Sequence, residues 1–448
     1  MASAAEQMAK NVNWGAFSKA TELKRRLLFV VLALLVYRLG TYIPVPGIDP
    51  HVWNDIFSQK GGGILDMFNM FSGGALQRMT IFALNIMPYI SASIIMQLVS
   101  SMSPKMAELK KEGESGRQKI NQYTRYLTVL LASVQAYGLA VGLQNMQGPS
   151  GSAVIDPGIF FIISTMITIV GGTVFLMWLG EQITSRGIGN GISLIIFAGI
   201  VAELPRAIAS TLELGRQGQF NFLELLALFV MVVGVIAFIV FMERAQRRVV
   251  VQYPKRQVGN KMAQGQTNHM PLKLNTSGVI PPIFASALLL LPLTVIGFAQ
   301  MQDSEWTSFV QQHLSHGQPS YMLLYGALIA FFAFFYTAIV FNPQENAETL
   351  RKYGGFIPGI RPGKNTADYL DYVLTRITCI GAAYLVFVCL LPEFMISQYN
   401  MPFYFGGTSL LIVVTVTLDT VQQIHSHLIA HQYEGLMKKA KLSGRKKR

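Results

Sequence analysis

Apolar residues run through this 448-residue chain in ten long stretches, most about 20 residues, separated by polar gaps. A hydrocarbon core of roughly 30 Å needs about 20 helical residues to cross it. Only internally hydrogen-bonded helices or closed barrels can do so. The runs are continuous rather than alternating, which predicts helices and not barrel strands. Spans are expected at 26–43, 75–102, 122–143, 158–179, 188–205, 220–242, 278–300, 321–341, 372–391 and 403–425. The pattern is that of an all-α polytopic membrane protein with ten transmembrane helices.

The polar gaps add an orientation. Thirty of the 36 Lys and Arg residues lie in the N-terminus, in 103–125, at Arg186, in 243–274, in 342–371 and after 425. The positive-inside rule then places both termini in the cytoplasm. Ten spans with both ends on one side divide into an N-terminal half, 1–205, and a C-terminal half, 206–425, followed by a basic tail, 426–448. Five is odd, so the second half enters from the opposite side. Two five-helix halves in an inverted pseudo-repeat are therefore expected on geometric grounds, although the halves share no convincing sequence identity. The first 22 residues are polar, and no small-residue cleavage pattern follows the first apolar run, which reads as a retained span.

Composition agrees: 51% hydrophobic against 13% charged, where a soluble chain carries about 25% charge. Candidate chemistry is sparse. Cys379 and Cys389 lie ten apart in one run, about 15 Å along a helix axis, too far to bridge. His427 and His431 are four apart but have no third ligand. No phosphate-binding loop, zinc-protease motif or nucleophile elbow appears. No enzyme, cofactor or metal site is expected. An ion-coupled secondary transporter of a small solute is the alternative class, and it would bury ionisable groups at mid-membrane. Here Glu181, Glu243, Glu393 and Asp419 fall near span ends. Arg38 is close enough to the outer end of its span to snorkel, and Arg376 is near the inner end of its own.

Between the first two spans, Gly61–Gly63 and Gly73-Gly74 flank an apolar centre of at most two helical turns, ~12 Å. It is too short to cross, and its glycines make flexible joints. A helix that dips in and moves out, and a fixed re-entrant helix, both fit. Pro88 loosens backbone bonding inside the second span. Ile86 and Ile90 share one helix face, and that spacing recurs at Ile192 and Ile196 after the loop Arg186–Gly191. On the residues alone, such isoleucines equally suit a lipid-facing surface.

Seven segments carry a wider likeness: Met67–Gly74, Ile86–Ile94, Lys110–Arg117, Trp178–Thr184, Arg186–Ser193, Pro358–Gly363 and Pro402–Ser409. In this order across ten spans, the chain resembles the SecY family, large subunits of the bacterial Sec protein-conducting channel, from about Leu23 to the tail. The resemblance implies an hourglass channel that conducts unfolded secretory proteins across the bacterial inner membrane and releases transmembrane segments sideways into lipid. A short plug helix would be Ile64–Gly74, carried by Ile64, Leu65, Met67, Phe68, Asn69, Met70, Phe71, Gly73 and Gly74. The pore ring would fall on Ile86, Ile90, Ile192, Ile196, Ile283 and Ile412. Isoleucine is stiff at χ1, and a dry apolar ring stops ions by dewetting.

The same resemblance implies a lateral gate between the second and seventh spans, with Gln97, Asn275, Thr276 and Ser277 as candidate polar contacts. Such bonds contribute only about 0.6–2 kcal/mol each in membranes, weak enough for a signal sequence to displace. The loops 243–274 and 342–371 would dock the SecA motor or the ribosome through Arg247, Arg248, Lys255, Arg256 and Arg361. Arg361 stands between Pro358-Gly359 and Pro362-Gly363, and its planar fork suits ribosomal RNA phosphates or acidic groups. SecE would clamp the halves, SecG would lie nearby, and nascent polypeptides would pass through. Two positions depart from the family pattern: Asn260-Lys261, where relatives often have an Arg pair, and Asn85, where they tend to have a small residue.

Overall fold

The computed structural model describes residues 21–60, 69, 72–145, 147–148, 151–217, 222–254, 256–258, 261–263, 267–298, 318–399 and 407–445. In chain order the first half holds α1 (Thr21–Gly40), α2 (Pro50–Lys60), α3 (Met87–Met102), α4 (Pro104–Lys111), α5 (Glu114–Asn145), α6 (Ile159–Arg186) and α7 (Gly191–Arg216). Two short strands, β1 (Gln147–Gly148) and β2 (Gly151–Ser152), pair between α5 and α6. After α8 (Phe222–Arg244) come β3 (Gln246–Gln252), β4 (Arg256–Val258), β5 (Lys261–Ala263) and β6 (Thr267–Lys273). The chain continues as α9 (Ile280–Phe298), α10 (Pro319–Val340), α11 (Pro343–Lys352), α12 (Lys364–Tyr399) and α13 (Gly407–Arg445).

Seven of the described helices are long and apolar enough to cross a membrane: α5, α6, α7, α8, α10, α12 and α13. α1 has the length but carries charge at both ends, from Glu22 to Arg38. α3 and the apolar part of α9 are shorter. Nine of the ten expected spans coincide with one helix each. The second does not. Residues 72–86 form turns, with left-handed backbone at Gly73, Gly74, Met79 and Asn85, and helix begins only at Met87. Pro88 therefore lies in the first turn of α3 rather than inside a span. Its missing N–H interrupts no helical bond there, so it starts the helix instead of loosening one.

Other helices outrun the apolar stretches that announced them. α12 continues through Pro392, and α13 runs well beyond residue 425. Asn190 explains the sharp start of α7: its side chain accepts from the N–H of Ile192 at 3.1 Å, satisfying a donor the helix cannot. One contiguous apolar core joins both halves, drawing side chains from α1, α3, α5, α6, α7, α9, α10, α12 and α13. Within it α3 packs against α5 and α9, and α9 packs against α10. The helices expected to form the gate are thus neighbours.

Candidate functional site

The six ring candidates occupy equivalent places in their helices. Ile86 is the residue before α3, and Ile90 lies in its first turn, donating its N–H to the Ile86 carbonyl at 3.1 Å. Ile192 is the second residue of α7, Ile283 the fourth of α9, and Ile412 the sixth of the described α13. Ile86, Ile90, Ile196 and Ile412 are buried in the main core, and Ile192 and Ile283 pack against it. Four helices thus carry these isoleucines into or against the one large apolar core, near the start of each described helix. Asn85 is buried beside Ile86 in the left-handed region, an uncommon conformation that asparagine tolerates better than branched residues do.

Of the plug candidates, Ile64, Leu65, Met67, Phe68, Met70 and Phe71 lie outside the described residues. Asn69, Gly73 and Gly74 lie inside them, in a compact turn. The N–H of Gly74 donates to the Asn69 carbonyl at 2.9 Å, and the N–H of Gln77 to Asn69 Oδ1 at 2.9 Å. Gly73 needs its missing side chain on two counts: its φ is +64°, and a Cβ would meet the Gly199 Cα at 2.8 Å.

No described hydrogen bond joins Gln97 on α3 to Asn275, Thr276 or Ser277 ahead of α9. Gln97 Nε2 donates to Ser93 Oγ at 3.4 Å on its own helix, and its buried Oε1 has no hydrogen-bond partner among the described residues. Asn275 instead donates to Glu243 Oε1 at 2.6 Å and to the Gly278 carbonyl at 3.1 Å. Its Oδ1 accepts from Ser277 Oγ and from the N–H of Gly278, both at 3.0 Å. Tyr384 Oη donates to the same Glu243 oxygen at 3.4 Å. Thr276 caps back onto the Lys273 carbonyl at 3.1 Å. Asn275 therefore ties the start of α9 to the end of α8, where Glu243 also accepts from Tyr384 in the middle of α12. Sequence reading missed Glu243 and Tyr384 in this network, because Glu243 lies 32 residues from Asn275 and 141 from Tyr384.

The docking candidates gather on a small folded body. Strands β3 and β6 pair antiparallel from Gln246↔Lys273 to Gln252↔Thr267. The N–H of Gln252 donates to the Phe356 carbonyl at 2.8 Å, and the N–H of Phe356 returns the bond at 2.9 Å. Beneath this bridge Val249, Leu272, Ile357, Leu370, Val373 and Ile377 form a second apolar core. Arg247 and Arg248 are exposed on β3, and Arg361 is exposed on a turn with positive φ at Gly359 and Gly363. The Arg361 carbonyl accepts from Thr366 Oγ1 at 2.9 Å, which fixes that turn. Arg256 lies in β4, and Lys255 falls outside the described residues.

Arg38, expected only to snorkel, instead donates Nη1 to the Gly73 carbonyl at 2.8 Å. Its partner is a main-chain atom, so no residue type betrayed it. Among the described residues, Glu393 is the one charged side chain that is buried, next to Pro392 on α12.

Comparison with known proteins matches this architecture. The chain is 57% identical over 424 residues to the protein translocase subunit SecY of Escherichia coli K12, covering 94% of this chain and 96% of that one. It is 57% identical to the Vibrio cholerae subunit of the same name (96% and 97% covered) and 56% identical to that of Pseudomonas aeruginosa (98% of both). A solved protein-conducting channel shares the fold with a TM-score of 0.64 at 20% identity, covering 90% and 92% of the two chains. Sec61 from a canine ribosome-channel complex does so with a TM-score of 0.60 at 19% identity, over the same shares. The family profile described as SecY matches residues 80–421, and the chain belongs to the SecY family.

Proposed function

We propose that this chain is the channel subunit of a protein translocase, without catalytic activity of its own, and that its waist is formed by the isoleucines described above. The observation that supports the reading is that Ile86, Ile90, Ile192, Ile196, Ile283 and Ile412 all lie in or against one apolar core, near the starts of four helices. A ring of stiff apolar side chains excludes ions by dewetting and offers nothing polar for a passing chain to bind. The segment 64–74 seals this waist as a plug. Curated relatives and solved channels both favour this reading over an ion-coupled solute transporter.

The lateral gate lies between α3 and α9, which pack together. Among the described residues Gln97 Oε1 has no hydrogen bond to lose when a signal sequence parts the two helices. Asn275, Thr276 and Ser277 act at the other end of the gate, fixing the start of α9. The body carrying Arg247, Arg248, Lys255, Arg256 and Arg361 docks SecA or the ribosome, whose RNA phosphates suit guanidinium groups. SecE holds the two halves together and SecG lies beside them. The chain resides in a bacterial inner membrane with both termini cytoplasmic.

A stalled secretory chain bearing a photoreactive residue tests the waist. It should crosslink to Ile86 and Ile412 and leave lipid-facing Phe229 and Phe241 of α8 unlabelled. Equal labelling of both pairs would remove the waist from these positions.

A further inference from the structure

The buried Asn275 side chain makes four described hydrogen bonds, and three of them stay within its own turn. Oδ1 accepts from Ser277 Oγ and from the N–H of Gly278, and Nδ2 donates to the Gly278 carbonyl. The fourth runs 2.6 Å from Nδ2 to Glu243 Oε1 at the end of α8. The bond from the Leu274 N–H to the Ala245 carbonyl, 2.9 Å, closes the base of the β3–β6 hairpin. Between there and the start of α9, the bond to Glu243 is the one described hydrogen bond that reaches another helix. Tyr384 of α12 donates to the same carboxylate oxygen at 3.4 Å, and its ring packs edge-on against Phe238 of α8 at 5.7 Å. Two residues ahead of α9, Gly278 takes a φ of +64° with open space around it.

We propose that Glu243 is a positioning residue for the gate. Its carboxylate holds the turn from which α9 starts against α8, beside Tyr384 of α12, and so sets how hydrophobic a signal sequence must be to part α9 from α3. The proposal rests on the gate reading above and adds to it the residue that decides where α9 begins. The turn keeps its shape without Glu243, because its three inner bonds do not involve that residue. What the fourth bond adds is location. A carboxylate oxygen receiving an amide N–H makes a bond roughly twice as strong as one between neutral groups, which suits it to hold a helix start by a single contact. Held there, α9 leaves α3 together with α8 and α12, and all three must move. Released, α9 parts from α3 by itself, turning at the glycine ahead of it.

Export of a reporter behind signal sequences of falling hydrophobicity, through the full-length chain assembled with its membrane partners, tests this. The quantity read is passage with weak signals relative to strong ones. Asn275→Asp keeps an oxygen for Ser277 and Gly278 but sets a second carboxylate against Glu243. It should raise the weak-to-strong ratio about tenfold, the scale of losing a hydrogen bond to a charged group. Glu243→Leu should do the same, and Glu243→Gln, which keeps an acceptor, should raise the ratio less, about threefold. Glu243→Gln added to Asn275→Asp exchanges donor and acceptor and should bring the ratio back toward the parent value. Static glue predicts another pattern: lower thermal stability, with weak and strong signals losing passage alike. Tyr384→Phe removes one donor to Glu243 and should raise the ratio about twofold; it covers the case in which the other variants fail to assemble. An unchanged ratio in these variants, while a photoreactive signal sequence still labels α3 and α9, overturns the positioning role and leaves the gate reading standing. If that sequence labels neither helix in the parent channel, the gate reading falls and the role of Glu243 with it.

Discussion

Gln252 and Phe356 exchange two backbone hydrogen bonds, and that single bridge makes one body of two loops a hundred residues apart. The exposed Arg247 and Arg248 on one loop and Arg361 on the other thus share a rigid support, with Ile357 buried between them. A partner that touches Arg361 meets a surface whose shape the hairpin also sets.

Charge reversal on this body should separate docking from assembly. Arg361→Glu should weaken motor or ribosome binding by about tenfold or more, as central charged contacts at interfaces do, while assembly with membrane partners is unchanged. Phe356→Pro removes the donor to the Gln252 carbonyl and should weaken docking in the same direction. Binding measured on purified complexes checks both. Undiminished docking by Arg361→Glu would return that arginine to a simple orientation signal.

Topology is testable without any partner. Thirty of 36 basic residues lie on the side assigned to the cytoplasm. With Cys379 and Cys389 replaced, since Cys379 is exposed, single cysteines at Ser150 and Lys261 should label from opposite sides of intact cells, Ser150 from outside. Labelling of both from one side breaks the ten-span arrangement.

The helices were legible because crossing a membrane demands long apolar runs, and run length is a local property of sequence. The start of the second span was not. Residues 75–86 carry Gln77, Arg78 and Asn85 within an otherwise apolar run, and hydropathy cannot distinguish turn from helix; the left-handed backbone at Met79 and Asn85 decides it. Helix ends were equally hidden where polar turns continue an apolar helix, as in α13. The site was less legible still. Isoleucines four apart suit a lipid face as well as a waist, so the ring came only from resemblance. Asn275 was named as a gate contact through resemblance alone, and its bond to Glu243, 32 residues earlier, has no local signal in the sequence. Arg38 had no visible partner because a carbonyl 35 residues away has no letter of its own.

Arg125 and Glu181 give a prediction on stability. Arg125 Nε donates to Oε1 at 2.9 Å and Nη2 to Oε2 at 2.7 Å, joining α5 to α6 in a bidentate pair. The side chains remain 43% and 31% exposed, so solvent screens them. Arg125→Gln should therefore cost only about 1 kcal/mol. Arg125→Glu should cost more, and Glu181→Arg added to it should recover part of the loss. Thermal unfolding of the four combinations in a double-mutant cycle measures the coupling. A cycle that closes at zero would show that the pair contributes nothing beyond its separate parts.

The isoleucine ring carries the last prediction. Replacing Ile86, Ile192 and Ile412 together by serine removes the side chains that keep the waist dry. In a packed core each such loss costs about 2–5 kcal/mol, because a cavity is left behind. Side chains that face a pore leave no sealed cavity, so the folded complex should survive with a smaller loss. Two of the ring positions, Ile192 and Ile283, are already only half-buried. The expected phenotype is ion leakage through the idle channel with normal assembly, together with easier passage of chains bearing weak signal sequences. Resting conductance and thermal unfolding, measured on the same preparation, decide between the two roles. A tight channel that unfolds at lower temperature would make these isoleucines core packing, and a leaky channel of near-normal stability makes them the seal.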